Sequence, residues 1–219
     1  MDYQIKEIYA SFQGEGAQTG RPAVLCRFAG CNLWSGREED RAQAQCNFCD
    51  TDFVGTDGPG GGTFATAREL ADAVVRCWSE RNTAGNAVER PFVICTGGEP
   101  LLQLDRTLID TFHGEGFEVA VETNGTLPAP ENIDWLTVSP KSPACDPKFV
   151  QRGGNELKLI FPQLKIDPED FTGLDFSCFY LQPMAGPDKQ RNTALMLDYC
   201  RSHPRWRMSL QTHKILGVA

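Results

Sequence analysis

The residues in this chain best suited to chemistry are Cys31, Cys46 and Cys49, spaced Cys-x14-Cys-x2-Cys and followed by Asp50, Thr51 and Asp52. Three thiolates gathered at one place suit a [4Fe–4S] cluster in which one iron has no protein ligand. A pure electron carrier normally uses four cysteines, and a structural zinc site is normally closed by four ligands. An open iron offers a coordination position to a substrate or cofactor, so such a site is chemical rather than structural. On spacing alone two other readings stay open: a zinc site completed by Cys26, and reduced thiols in a cytosolic protein. Cys26 shares a strand face with Val24 and Phe28, which favours the core for it.

The fourteen residues between Cys31 and Cys46 must leave and return if the three thiols are to meet. Ser35 followed by Glu38 has the pattern of a capping box, and Arg37 to Gln45 are almost all good helix formers. The expectation is one domain over residues 1–219, with a short helical insertion in the cluster loop at about 32–45.

Nine cysteines, an odd number, and a start that resembles neither a secretory nor an organelle-targeting segment point to a reducing compartment. No apolar run is long enough to span a membrane. A net charge of −8 weighs against general nucleic-acid binding. Arg201, Arg205, Arg207 and Lys214 read as solvated surface. A soluble cytoplasmic protein with no nucleic-acid or membrane partner is expected.

The elements that must position the chemistry alternate. Strands are expected at 23–29, 92–95, 117–121, 135–138, 157–161, 178–181 and 208–210. Helices are expected at 67–80, where Leu70, Ala73, Val74, Cys77 and Trp78 share a face, at 104–112, and around 196–200. Such alternation argues for a parallel sheet. Polar motifs close the strands: Thr96 to Pro100, Glu122 to Gly125, Ser139-Pro140-Lys141, Gln182-Pro183-Met184 and Thr212 to Lys214. In barrel-like α/β folds the active site gathers at the C-terminal ends of strands, so these motifs describe a lined mouth. The chain is short for eight units, which makes the expected fold an incomplete, TIM-like parallel β/α barrel.

Gly97-Gly98-Glu99-Pro100 follows an apolar strand. Glycines there let a ligand approach the backbone, and Glu99 can accept hydrogen bonds from a cationic amino group; a plain strand-to-helix turn is the alternative. With the three cysteines, this motif resembles the radical S-adenosylmethionine (SAM) superfamily. The whole chain resembles the 7-carboxy-7-deazaguanine synthase family, some of whose members carry the expanded cysteine spacing. The matching stretches include Phe12 to Gly16, Cys26 to Trp34, Cys46 to Asp52, Cys95 to Pro100, Glu122 to Gly125, Asn155 to Lys158 and Gln211 to Lys214.

The resemblance implies a radical SAM lyase that converts 6-carboxy-5,6,7,8-tetrahydropterin to 7-carboxy-7-deazaguanine with loss of ammonia, on the route to queuosine. It implies a partial barrel, a homodimer, Mg²⁺ and a reductant such as flavodoxin or ferredoxin. Carried over by position, Cys31, Cys46 and Cys49 bind the cluster and Thr51 contacts Mg²⁺. Gly98, Glu99, Ser139, Pro140, Lys141, Gln182, Pro183, Met184 and Ala185 bind SAM. Phe12, Gln13, Gly14, Arg27, Thr96 and the terminal Ala219 bind substrate. Glu122, Asn124 and His213, at the strand ends, are further candidates for polar contacts in the mouth, with a structural histidine as the alternative for His213. Arg27 lies mid-strand and needs an anionic partner, either the substrate carboxylate or an internal acid. A glycyl-radical activase would share the cluster and glycine motifs, and a zinc-stabilised binding module would need neither the pocket nor the strand-end motifs.

Overall fold

The computed structural model describes residues 2–81 and 90–218. Its centre is a nine-stranded sheet in the order β3-β1-β2-β4-β5-β6-β7-β8-β9. Strand β1 (Tyr3–Phe12) pairs antiparallel with β2 (Pro22–Phe28) and with β3 (Gly62–Phe64). From β2 onward every pairing is parallel, through β4 (Phe92–Gly97), β5 (Glu118–Thr123), β6 (Trp135–Val138), β7 (Gly153–Phe161), β8 (Asp175–Pro183) and β9 (Trp206–Met208). The sheet does not close on itself: it is the expected partial TIM-like barrel.

Helices α1 (Ala67–Arg81), α2 (Arg106–Gly114) and α3 (Lys189–Ser202) cover one face. The β5–β6 and β6–β7 connections carry no helix. Pro128 and Pro130 interrupt the first, and Pro140, Pro143 and Pro147 the second; proline removes a donor and clashes within a helix. A last short helix, α4 (Thr212–Leu216), follows β9.

Strand periodicity decides what the two faces do. Val24, Cys26, Phe28, Val93, Cys95, Val119, Val121, Leu157, Leu159, Phe179 and Leu181 point to the helices and pack with Leu70, Val74, Leu108, Ile109, Phe112 and Met196. The alternate positions, Arg27, Thr96, Glu122, Thr137, Lys158 and Gln182, face the inside of the barrel and line its cavity.

Three expectations need correction. The strand β1 was not expected, and a register shift between Ile5 and Glu7 explains why: the bulge breaks the two-residue alternation of an ordinary strand. The last strand lies at Trp206–Met208, anchored by buried Trp206, rather than at 208–210. The insertion holds a 3₁₀ helix, Glu38–Gln43, without a capping box. Ser35 Oγ instead accepts from Arg37 N and donates to Asp40, while Glu38 pairs with Arg41. Arg41 then secures the return of the loop. Its guanidinium lies 4.1 Å from the Trp34 ring, and Nη1 donates to the carbonyls of Asn47 and Cys49 at 3.0 Å each.

Candidate active site

A cavity of about 340 Å³ opens at the C-terminal ends of the parallel strands, within the range that holds a small-molecule ligand. Cys31, Cys46 and Cys49 form part of its wall. A hydrogen bond between the Cys46 and Cys49 thiols, more than burial, raises the pKa of Cys46, and against burial it lowers that of Cys49 to about 6. Burial raises Cys31. None of the nine cysteines is in a disulfide. Cys26 cannot complete a zinc site with this trio, because it is fully buried on the helix-covered face, whereas the neighbouring position, Arg27, faces the cavity. Among the described residues no three His, Cys, Asp or Glu converge closely enough to hold a single metal ion. Three thiols in the wall of one cavity are the donor set that an iron–sulfur cluster with one open iron takes.

The loop after β4 packs against the start of the cluster loop. Glu99 N donates to Gly30 O at 2.9 Å, and a Cβ on Gly98 would lie 1.9 Å from that same carbonyl oxygen. Gly98 thus serves backbone packing beside Cys31 as well as lining the cavity. Glu99 is fully buried. It accepts from Leu101 N at 3.0 Å and Thr123 Oγ1 at 2.8 Å through Oε1, and from Asn124 N at 2.8 Å through Oε2. It therefore caps the 3₁₀ turn Pro100–Leu102 and ties the ends of β4 and β5 together. Burial raises its pKa despite these three donors.

Ser139, Lys141, Gln182, Pro183 and Ala185 also line the cavity, whereas Pro140 is buried behind it and Met184 N bonds back to Phe161 O. Lys141 Nζ donates to Ser139 Oγ at 2.7 Å and to the Ser139 carbonyl, and burial lowers its pKa. Gln182 accepts from Ser209 Oγ at 2.9 Å.

Phe12, Gln13, Gly14, Arg27, Thr51, Thr96, Glu122, Asn124 and His213 line the same cavity. The ring of His213 packs against Gly14, where a Cβ would lie 1.9 Å from Nδ1. Thr212 N and Oγ1 both donate to Gly14 O at 2.9 Å, so α4 straps the mouth. Arg27 has an internal acid: Nε donates to Glu7 at 2.7 Å and Nη2 to Tyr9 Oη at 3.1 Å. Burial works against its charge, but the Glu7 bond and Tyr9 outweigh it and raise its pKa. These bonds orient the guanidinium, and its Nη1–Nη2 edge retains donors for a ligand. Ala219 lies outside the described residues.

Sequence reasoning named neither Glu15 nor Lys158 as a site residue, although both face the cavity. A signal existed for one of them. Lys158 interrupts the apolar run from Leu157 to Phe161, where a cation must be buried and paired. Asp50, next to Cys49, was likewise missed. It receives Lys214 Nζ at 2.6 Å and Gln211 Nε2 at 3.2 Å, which ties α4 to the cluster loop.

No family model matches the chain. Full-length relatives do. The 7-carboxy-7-deazaguanine synthase of Caulobacter vibrioides is 59% identical over 218 residues and that of Bordetella pertussis 58% over 218, with 100% of both chains covered in each case. That of Bacteroides thetaiotaomicron is 39% identical over 98% of each chain. The fold is similar to the crystal structure of QueE from Escherichia coli, with a TM-score of 0.64, 25% identity, and 97% of this chain and 95% of that one covered. Full-length identity at this level leaves one assignment: the chain belongs to the 7-carboxy-7-deazaguanine synthase family.

Proposed function

We propose that residues 1–219 form one radical SAM core domain that converts 6-carboxy-5,6,7,8-tetrahydropterin to 7-carboxy-7-deazaguanine with release of ammonia. The observation that carries this reading is that three cysteines and the inward-facing Arg27, Thr96, Glu122 and Lys158 open into one cavity. When bound, the reduced cluster and SAM supply a 5′-deoxyadenosyl radical able to take the hydrogen at C6 of the pterin. Cys31, Cys46 and Cys49 hold the cluster. Gly98, Ser139, Lys141, Gln182, Pro183 and Ala185 form the SAM side of the cavity, where Lys141 offers a cation to a carboxylate, and Glu99, Pro140 and Met184 support that side from behind. Phe12 to Gly14, Arg27, Thr96, Glu122, Asn124 and His213 form the substrate side, and Ala219 is assigned to the substrate by the family resemblance alone. A reductant such as flavodoxin or ferredoxin, a homodimer and a cytoplasmic location belong to the same reading; nine cysteines without a disulfide support the last. Anaerobic incubation of reconstituted protein with dithionite, SAM and the pterin, followed by mass analysis, tests the whole. Product and free ammonia are expected; cofactor cleavage without pterin conversion would refute the substrate.

Arg27 is oriented by Glu7 and Tyr9 so that its outer edge can grip the substrate carboxylate. A bidentate grip decides which hydrogen faces the radical. Arg27→Lys is therefore expected to keep cluster loading and SAM binding while turnover drops about 100-fold, because lysine lacks the planar fork and misplacement is costly. Steady-state rates beside SAM-binding isotherms check this; parental turnover would remove Arg27 from the pocket's chemistry.

Thr51 faces the cavity two residues after Cys49. Mg²⁺ commonly takes one or two protein oxygens and completes its shell with substrate and water. Turnover is expected to rise with Mg²⁺, and Thr51→Ala to flatten that response with iron content unchanged. Titrating Mg²⁺ into chelator-treated enzyme decides the point, and equal rates with and without the ion would exclude it.

A further inference from the structure

Lys158 stands mid-strand in β7 with a side chain only 5% exposed. A buried ammonium is stable only when paired. Its Nζ lies 2.6 Å from Glu15 Oε2 and 3.6 Å from Glu122 Oε1. The two carboxylates reach it from different elements, the loop after β1 and the strand β5. Each is held by further donors. Gln211 Nε2 lies 3.0 Å from Glu15 Oε1, Gln13 Nε2 3.0 Å from Glu122 Oε1, and Thr96 Oγ1 3.0 Å from Glu122 Oε2. Glu15, Glu122 and Lys158 all border the cavity. Two carboxylates around one ammonium present more acceptor sites than their neighbours fill. A pterin carries N–H donors along its amino-pyrimidinone edge, which such a surface complements.

We propose that Lys158 is a positioning residue: standing between Glu15 and Glu122, it holds these like-charged groups together as one acceptor wall for the N–H donors of the bound pterin. The inference rests on the pterin reading given above. Other groups face the same place. Glu156, on the same strand, accepts from Ala17 N at 2.8 Å. Lys141 approaches from the loop after β6, and His213 from α4 faces Glu15 and Glu122. From β8, Gln182 and Tyr180, the register partner of Lys158, are uncharged neighbours. Burial works against the charge on Glu15, but Lys158 outweighs it and its pKa is lowered. Burial likewise opposes the charge on Lys158, and Glu122, Glu15 and Glu156 together outweigh it and raise its pKa. Without the ammonium, burial and like charge would drive Glu15 to take up a proton as the pH falls.

The test is steady-state kinetics with the pterin across about pH 6–9, the window in which a buried carboxyl deprived of its cation titrates, on reconstituted holoenzyme of the parent, Lys158→Met, Lys158→Arg and the double variant Lys158→Met/Glu15→Gln. Lys158→Met is expected to raise KM about tenfold with a smaller change in kcat, the signature of lost binding. Its kcat/KM should climb with pH more steeply than the parent's. Lys158→Arg should recover most of the affinity, and adding Glu15→Gln should abolish the extra slope. A parental KM in Lys158→Met overturns the proposal. So does a loss with no added pH slope, or one that Glu15→Gln leaves untouched, since a merely structural lysine would behave that way. If Lys158→Met does not fold, Glu15→Gln alone decides: a KM raised about tenfold at unchanged iron content supports the wall, and a parental KM overturns it. A parent that makes no product from the pterin is a different failure, which removes the substrate reading itself and the inference with it.

Discussion

Replacing Cys31, Cys46 or Cys49 singly with alanine is expected to abolish turnover, a loss of at least about 10⁶-fold, because no protein group can substitute for chemistry that the cofactor supplies. The same replacements at Cys77 and Cys200 should leave the rate within a few-fold of the parent, in keeping with ordinary packing changes. The contrast follows from position. Cys31, Cys46 and Cys49 share the cavity wall, whereas Cys77 lies on α1 and Cys200 on α3, in the helix layer behind the sheet. Iron and sulfide analysis of anaerobically reconstituted protein, with EPR before and after SAM addition, separates loss of the cluster from loss of a later step. Full iron content and cofactor cleavage in any one of the three cavity variants would show that its thiol is not a ligand.

Glu99→Ala is expected to cost about 3–5 kcal/mol of folding stability, since three buried donors lose their acceptor at once. Those donors are Leu101 N, Thr123 Oγ1 and Asn124 N. Glu99→Gln should cost less, because one carbonyl oxygen remains, yet its amide cannot accept both from Leu101 and from Asn124. The pH dependence has a definite sign. Burial raises the Glu99 pKa, so between the ordinary carboxylate range and that raised value the native state binds more protons than the unfolded chain. Stability then declines as the pH rises through this window, and Glu99→Gln should lose that part of the decline. Denaturant unfolding of the cluster-free protein at several pH values measures both effects. A Glu99→Ala variant within about 1 kcal/mol of the parent would mean that other groups satisfy those donors.

Much of this molecule is legible in its sequence because the relevant signals are local. Cys-x14-Cys-x2-Cys states its chemistry in the number and type of its ligands. The periodicity of Leu70, Val74 and their neighbours sets α1 to within a residue of Ala67–Arg81, and Trp135–Val138 forms the strand that its apolar run announces. The βα alternation and polar strand ends are enough to infer an open parallel barrel with its site at one end. These properties depend on neighbours in the chain and on two simple periods.

Other features depend on contacts between distant residues, and no local pattern contains them. Glu15 and Lys158 meet across 143 positions of sequence, and Glu99 turns away from the cavity toward Thr123 and Asn124 only because β5 lies beside β4. The capping-box pattern at Ser35 yields to Asp40, and the insertion is held instead by Arg41 against Trp34 and Cys49. Arg27 shows the division most plainly. Its mid-strand position already demands an anion, but only the antiparallel register of β1 on β2, which sets Glu7 opposite it, decides that the anion is a protein side chain. The sequence thus determined the ligands, the periods and the order of the elements. The tertiary structure decided how each buried charge is paired, because that pairing is a property of strand register and sheet order rather than of any segment.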